Sequence, residues 1–414
     1  MNNLVSALGI IVFCIIAWAL SSNRKKISLR PVVAGIILQL IIAVIVFQAP
    51  GSRDFFVFLS DLVNRTIEAS REGVVFVFGD LGKASSQYGF ILAFQALPFI
   101  VVFAALMGLL YYTGVMPFII RAMARFIHRV FGTSGAESMC AASNVFVGIE
   151  SCTTIRPYLE GLTRSEAFLI LVAGMSTVAS SVMAVYVSIL NKVFPTIAGH
   201  LISASVLSIP AAFAICKLME PETGEPATAD WHNVKLHVED TPGGFTESII
   251  NGATDGGKLA WGVTITLLAF IGLLGIIKAG LAAATGNENF LINMLGYGFY
   301  PFTWLCGVAP KDIPAVSNLL GTRLIMTEIP AYIQLSTITG TLDPRSVIIA
   351  SYSLCGFAHI ASMAIFIGGI SMLAPGLRPL LAKIGFKALL AATLVTLMTG
   401  AIAGLFCTAA DSIL

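Results

Sequence analysis

Charge is what this sequence has least of. Asp, Glu, Lys and Arg together make up 11% of its 414 residues, against 57% hydrophobic residues, where an ordinary soluble domain carries about 25% charged residues. That excludes a soluble protein with a single anchor. The 24 basic and 22 acidic side chains nearly cancel, leaving +2, so there is no electrostatic footprint for nucleic acid. Cysteine patterning is missing as well. The seven cysteines lie mostly in apolar runs with no CxxC and no regular spacing, which reads as small core residues rather than disulfides or a metal site. There is no HExxH, GxSxG, P-loop or Rossmann fingerprint. An enzyme is therefore disfavoured, no organic cofactor is called for, and any pumping must draw on an ion gradient rather than ATP.

What is present is a series of charge-free stretches, each long enough to cross a bilayer as a helix. They cover 1–23, 31–52, 84–120, 167–191, 193–216, 259–277, 289–310, 346–377 and 388–410. The stretch 289–310 holds Gly296, Gly298, Pro301 and Gly307 and suits a bent or in-plane piece. About eight spans remain, an even number that puts both termini on one side. The first stretch lacks a basic leader, and Arg24, Lys25, Lys26 and Arg30 follow it, so it is read as a span and not a signal peptide. The positive-inside rule then places this basic loop in the cytoplasm and both termini outside. Arg121, Arg125, Arg129, Arg378, Lys383 and Lys387 fall inside on the same count. Segment 53–83, which mixes basic and acidic residues, fits an amphipathic helix lying on the membrane. The polar, acidic and Pro/Gly-rich stretch 219–258 reads as a cytoplasmic linker between two halves.

The halves resemble each other. GMSTVAS (174–180) matches GFAHIAS (356–362), each within a long span, and each is preceded by a shorter segment with one acid: Glu150 in NVFVGIESCTTIRP and Glu328 in SNLLGTRLIMTEIPAY. The span count gives these segments opposite senses. The expected architecture is thus an all-α polytopic membrane protein with two re-entrant helical hairpins, about 134–160 and about 311–340. Its parts are N-terminal spans and interfacial helix (1–83), a first repeat (84–218), the linker, and a second repeat (259–414). Paired re-entrant elements of opposite sense are the mark of an inverted-repeat secondary transporter, with its site near the midplane.

Ionisable side chains inside a membrane segment are expensive and point to function. Glu150 and Glu328 could accept hydrogen bonds from the hydroxyls of a substrate. The alternative is that each simply pairs with its nearby arginine, Arg156 or Arg323. Asn144, Thr177 and the carbonyls of Val147 and Val178 offer uncharged oxygen to a hard cation such as sodium, or else hydrogen bonds between helices. His359 and Ser362 take the places of Thr177 and Ser180 in the second copy. His359 is either a packing residue or a ligand contact.

Several runs carry a likeness: AESMCAASNVFVG, RPYLEGLTRSE, TEIPAYIQ, SLCGFAHIASMAIFIGGISMLAP and SSNRKKISLRPVVAG. Together they resemble the concentrative nucleoside transporter family, over most of the chain and in order. The resemblance implies a homotrimer that moves nucleosides inward with sodium or protons, elevator fashion. It implies that Glu150 and Glu328 bind ribose, that Val182 touches the base, and that Phe357 and Ser362 line the site. It also implies sodium ligands at Asn144, Val147, Thr177 and Val178, with Thr177 replacing a family Ser. Two departures stand out. The first hairpin is one residue short, leaving no counterpart to the base-reading Gln, and His359 replaces a ribose-contacting Asn. The expected function is import of nucleosides across the cytoplasmic membrane by cation symport, with sodium as the coupling ion. A proton-coupled or modified-nucleoside transporter, and a membrane hydrolase using Glu150 and Glu328, are the alternatives. A histidine titrates near neutral pH, which keeps a proton contribution open.

Overall fold

The computed structural model describes residues 2–49, 51–83, 89–230, 244–287 and 290–407. Among the described residues there is no strand, and the fold is all-α. The chain opens with α1 (Asn2–Ala19), α2 (Leu29–Gln48), α3 (Ser52–Phe78), a single turn α4 (Leu92–Gln95), α5 (Pro98–Tyr112) and α6 (Val115–Phe131). There follow α7 (Gly135–Asn144), a 3₁₀ segment Ile149–Gly161, α8 (Arg164–Ser176), α9 (Ser180–Leu190) and α10 (Ile197–Met219). The second half holds α11 (Phe245–Thr285), α12 (Phe290–Leu305), α13 (Ile313–Ile325) and α14 (Glu328–Ile338). It ends with α15 (Pro344–Leu354), α16 (Ile360–Leu373) and α17 (Arg378–Phe406).

Among the described residues, seven stretches are long and apolar enough to cross a bilayer: α1, α2, 92–112, 164–190, α10, α11 and 375–406. The charge-free stretch 346–377 is not one continuous helix. It breaks between Leu354 and Ile360, and the cause is tertiary. Gly356 has φ +148°, and a Cβ there would sit 2.9 Å from Thr396 Cγ2 and 3.0 Å from Ser176 O. Only glycine fits both the backbone angle and the approach. Ser176 ends α8, so the break after α15 lies against the break between α8 and α9. At the other end of its element, α11 begins at Phe245, so residues 245–258 are helical rather than linker. Residues 231–243 lie outside the described residues.

Local sequence sets the helix starts. Ser134 and Glu137 form a reciprocal capping box at α7, and Thr163 and Glu166 form another at α8, each satisfying two otherwise orphaned backbone N–H groups. Asp343 caps α15 through the Arg345 N–H.

Packing separates a body from an outer pair. The most apolar windows of 164–190, α10 and 375–406 are 89%, 89% and 83% buried, whereas that of α11 is 7% buried. In the body, α1 lies along α17 and α2 along α10, while α8 and α15 pack on α17. The outer pair is α5 with α11. Their backbones touch through Gly252 and Gly256, where a Cβ would come within 2.6 Å of Ala104 O and 2.7 Å of Ala104 Cβ; small residues permit such an approach between membrane helices.

Each half is fastened at one end by an arginine near the start of its broken helix. Arg164 bonds Glu220 (Nε–Oε1 2.7 Å), which also takes Lys387 (2.9 Å), joining α8, α10 and α17. Arg345 donates to the carbonyls of Gly307 (3.0 Å) and Cys407 (2.9 Å) and to that of Gly404, closing α12, α15 and α17 together. Lys217 is buried with Glu137 and with Ser165 Oγ at 2.9 Å, tying α7 to α8 and α10.

Candidate functional site

The two breaks and the two helical pairs, α7 with the 3₁₀ segment and α13 with α14, converge on one pocket. Its empty space is about 650 Å³ counted to its open mouth. Gly148 comes from the turn after α7, Ala179 and Val182 from the start of α9, and Thr327, Glu328 and Ile329 from the turn into α14. Phe357, His359, Ser362, Ile365 and Phe366 come from the second break and α16. The far wall is Leu259, Val263 and Leu267 of α11. This is a mostly apolar lining with a few polar groups gathered at one end, the usual make-up of a small-molecule site.

The polar end is built around Glu328, which is 3% exposed. Tyr186 donates its hydroxyl to Oε1 at 2.6 Å, and His359 Nε2 stands 2.9 Å from Oε2. The histidine is held from both sides of its ring. Its Nδ1 accepts the Ser362 N–H at 3.1 Å, capping α16, and its Nε2 lies 2.7 Å from Ser362 Oγ. An accepting Nδ1 leaves the proton of the neutral ring on Nε2. That N–H is aligned with Ser362 rather than with the carboxylate. Glu328 Oε2 and Thr327 Oγ1 are thus buried without an aligned hydrogen-bond partner among the described residues. Such groups are costly to leave unpaired, and both residues line the pocket.

Arg323 is not the partner of Glu328. It donates to the Ser353 carbonyl and to Thr396 Oγ1 (3.1 Å), so the simple ion-pair reading of Glu328 does not hold. The backbone of Glu150 runs in the 3₁₀ segment directly after Gly148; its side chain lies outside the described part of the structure.

The oxygen donors of the first repeat sit beside the same pocket, as chain neighbours of Gly148 and Ala179. Asn144 ends α7, 1% exposed, and its Oδ1 accepts from Ser151 Oγ at 3.0 Å. Thr177 follows α8 in an extended conformation and donates its hydroxyl to Ala173 O at 2.8 Å, which leaves the lone pairs of Oγ1 available. Phe146 O accepts the Ser180 N–H at 3.0 Å, stitching the turn after α7 to the start of α9. Among the described residues, no hydrogen bond goes to the carbonyl of Val147 or Val178. Neutral oxygens with free lone pairs suit a hard monovalent cation. No cluster of three or more His, Cys, Asp or Glu occurs among the described residues, so a site of the transition-metal kind is not built here.

Family models match most of the chain. Residues 200–404 match the family described as Na+ dependent nucleoside transporter C-terminus, and residues 8–81 match its N-terminal counterpart. Residues 93–193 match a domain described as Gate, nucleoside recognition. A transporter of Haemophilus influenzae is 35% identical, over 98% of this chain and 98% of its own length. The chain belongs to the concentrative nucleoside transporter family. Another relative, the putative nucleoside permease NupX of Escherichia coli, is 34% identical over 98% of this chain and 99% of its own. Among solved structures, CNTnw in an inward-facing substrate-bound state superposes with a TM-score of 0.91, at 34% identity, over 98% of both chains. A double-substituted form of CNTnw in an outward-facing state gives 0.90, also at 34% identity, over 98% of this chain and 99% of that one.

Of the residues singled out in the sequence, Val182, Glu328, Phe357, His359 and Ser362 line one pocket. Asn144, Val147, Thr177 and Val178 stand at the adjoining break. Sequence reasoning did not reach Tyr186, although it follows Val182 by one helical turn and so shares its face.

Proposed function

We propose that this protein imports nucleosides across the cytoplasmic membrane by symport with sodium. One observation carries the reading: Thr327 and Glu328 line an otherwise apolar pocket, and Glu328 Oε2, with His359 Nε2 standing 2.9 Å away, and Thr327 Oγ1 have no aligned hydrogen bond among the described residues. A ribose brings the hydroxyl donors that these acceptors lack, and a base ring suits the apolar surface of Val182, Phe357 and Phe366. Glu150, two residues after Gly148 in the chain, would serve the same sugar from the first repeat.

Sodium would be held by Asn144 Oδ1, Thr177 Oγ1 and the carbonyls of Val147 and Val178, and no carboxylate is needed. Occupancy there fixes the turn after α7 against the start of α9, whose next residues, Gly148 and Ala179, are pocket wall. That shared backbone is how the ion favours substrate binding. Elevator movement is supported by the contrast between walls. Glu328 is bonded by Tyr186 and His359 by Ser362, while Leu259, Val263 and Leu267 of α11 offer only apolar contact, which forms no directional bond that must break on sliding. The largely bare apolar face of α11 is available to lipid and to neighbouring protomers of a homotrimer.

Proton coupling is a second reading, favoured by the 2.9 Å approach of His359 to Glu328. The deciding experiment is uptake into proteoliposomes of a panel of labelled nucleosides and bases, under an inward sodium or an inward proton gradient. Sodium-driven accumulation of unmodified nucleoside is expected. Accumulation driven by protons alone would replace sodium in the account, and label recovered only as hydrolysis products would replace transport itself.

A further inference from the structure

The hydrogen-bonding side chains of the pocket are gathered in one cluster. Glu328 Oε2 and His359 Nε2 stand 2.9 Å apart, His359 Nε2 and Ser362 Oγ 2.7 Å apart, and Thr327 is the chain neighbour of Glu328. Among the described residues that line the pocket, no other side chain can give or take a hydrogen bond. Leu259, Val263 and Leu267 recur every four residues and so share one face of α11. Val182 of α9 and Ile365 and Phe366 of α16 extend this apolar surface. Thr264, the chain neighbour of Val263, turns its hydroxyl back onto Ala260 O at 2.9 Å and is not part of the lining. A ring held against such a surface gains apolar burial whatever its substituents. Its amino and carbonyl groups gain no partner there, and burying them unpaired costs free energy.

We propose that this protein selects its substrate by the sugar and takes the base by shape and apolar contact alone. The proposal rests on the nucleoside reading above and deepens it by naming the substrate class: ribosides of flat rings that fit the pocket, including rings with no amino or carbonyl group. A site built to hydrogen-bond a substrate group strongly rejects the analogue that lacks it, whereas an apolar site discriminates chiefly by size. The cluster of Thr327, Glu328, His359 and Ser362 is of the first kind. The surface formed by α11 with Val182, Ile365 and Phe366 is of the second.

The test is calorimetric titration of the purified full-length wild-type protein, in saturating sodium, with adenosine, uridine, benzimidazole riboside, 2′-deoxyadenosine, 3′-deoxyadenosine and adenine. Benzimidazole riboside keeps the sugar and the fused-ring shape of adenosine but lacks its exocyclic amine and the two nitrogens of its six-membered ring. The loss of one ordinary hydrogen bond weakens binding by about fivefold. Benzimidazole riboside should therefore bind no more than about fivefold more weakly than adenosine. Each deoxy analogue should bind about tenfold or more weakly, because it leaves a buried acceptor unpaired. A benzimidazole riboside weaker than adenosine by more than that fivefold margin overturns the proposal, because the pocket would then read the base. Deoxy analogues or adenine binding as tightly as adenosine also overturn it, because the sugar would then not be selected. Failure of adenosine and uridine alike to bind would instead overturn the nucleoside reading on which the proposal rests.

Discussion

Thr177 and His359 hold the same position in GMSTVAS and GFAHIAS, yet the structure uses them differently. Thr177 turns its hydroxyl proton back onto Ala173 of its own helix and leaves its lone pairs free. His359 spends one ring nitrogen capping α16 and brings the other to Glu328. Around Thr177 the first repeat gathers neutral oxygen; beside His359 the second sets Glu328, which Tyr186 also bonds. The difference teaches that an inverted repeat need not duplicate its chemistry. Under the proposed function, one break would receive an ion, and the other would present its own hydrogen-bonding groups to a substrate.

The largest break in that comparison should come from the second repeat's acid. Glu328→Gln keeps the shape but removes the charge, and a hydrogen bond to a charged group contributes about 1.5–3 kcal/mol. Nucleoside affinity, measured calorimetrically, should therefore fall about tenfold to a hundredfold. Analogues lacking ribose hydroxyls should lose their disadvantage in the variant. Equal discrimination by wild type and variant would show that Glu328 does not read the sugar. Tyr186→Phe, which removes only the donor to Oε1, should cost about fivefold.

The first repeat should break differently. Asn144→Ala combined with Thr177→Ala should abolish sodium stimulation of uptake while leaving nucleoside affinity in sodium-free buffer close to wild type. Sodium stimulation that survives the pair of substitutions would move the ion elsewhere.

His359 sharpens the contrast at smaller amplitude. Asn is a good helix N-cap and Ala a poor one, the difference being about 1 kcal/mol. His359→Asn should keep stability but lose the approach to Glu328, shifting substrate selectivity severalfold. His359→Ala should lose stability as well. If nucleoside selectivity is the same in all three proteins, His359 only packs.

A last effect, on stability alone, lies outside the spans, at Glu220. Burial raises its carboxyl, but the bonds from Arg164, Ser22 and Lys387 outweigh burial and hold it below the usual carboxylate range. The lowered value means that its contribution is fully present above the unfolded-state pKa and is lost as pH falls through the folded one. Near neutral pH, Glu220→Gln should melt lower, by the equivalent of about 1–3 kcal/mol. On acidification the gap should narrow, and a gap that stays constant down to about pH 3 would contradict the linkage.

Much of this was legible because membrane spans announce themselves by absence of charge. The repeat, the two acids and the pocket residues Val182, Phe357, His359 and Ser362 could all be named from strings. The break in 346–377 could not. Nothing in SLCGFAHIAS resembles a helix stop of the proline kind, and the interruption exists because Gly356 meets Ser176 and Thr396. The start of α11 was hidden for the opposite reason. Asp255 and Lys258 end the charge-free run, but they sit exposed on a continuing helix and pair with each other at 2.8 Å. Arg323 shows the limit most plainly. Sequence proximity offered it to Glu328, whereas its partners are Ser353 and Thr396, 30 and 73 residues away.

The central claim is that an ion at the first break and a sugar at the second are bound through shared backbone. Linkage makes such coupling reciprocal. The most direct measurement is nucleoside affinity of the purified protein at zero and at saturating sodium, with choline keeping ionic strength constant, in wild type and in Asn144→Ala/Thr177→Ala. The account predicts that sodium tightens wild-type binding by about tenfold or more and leaves the double variant unmoved. Wild-type affinity that is the same in sodium and in choline would contradict it.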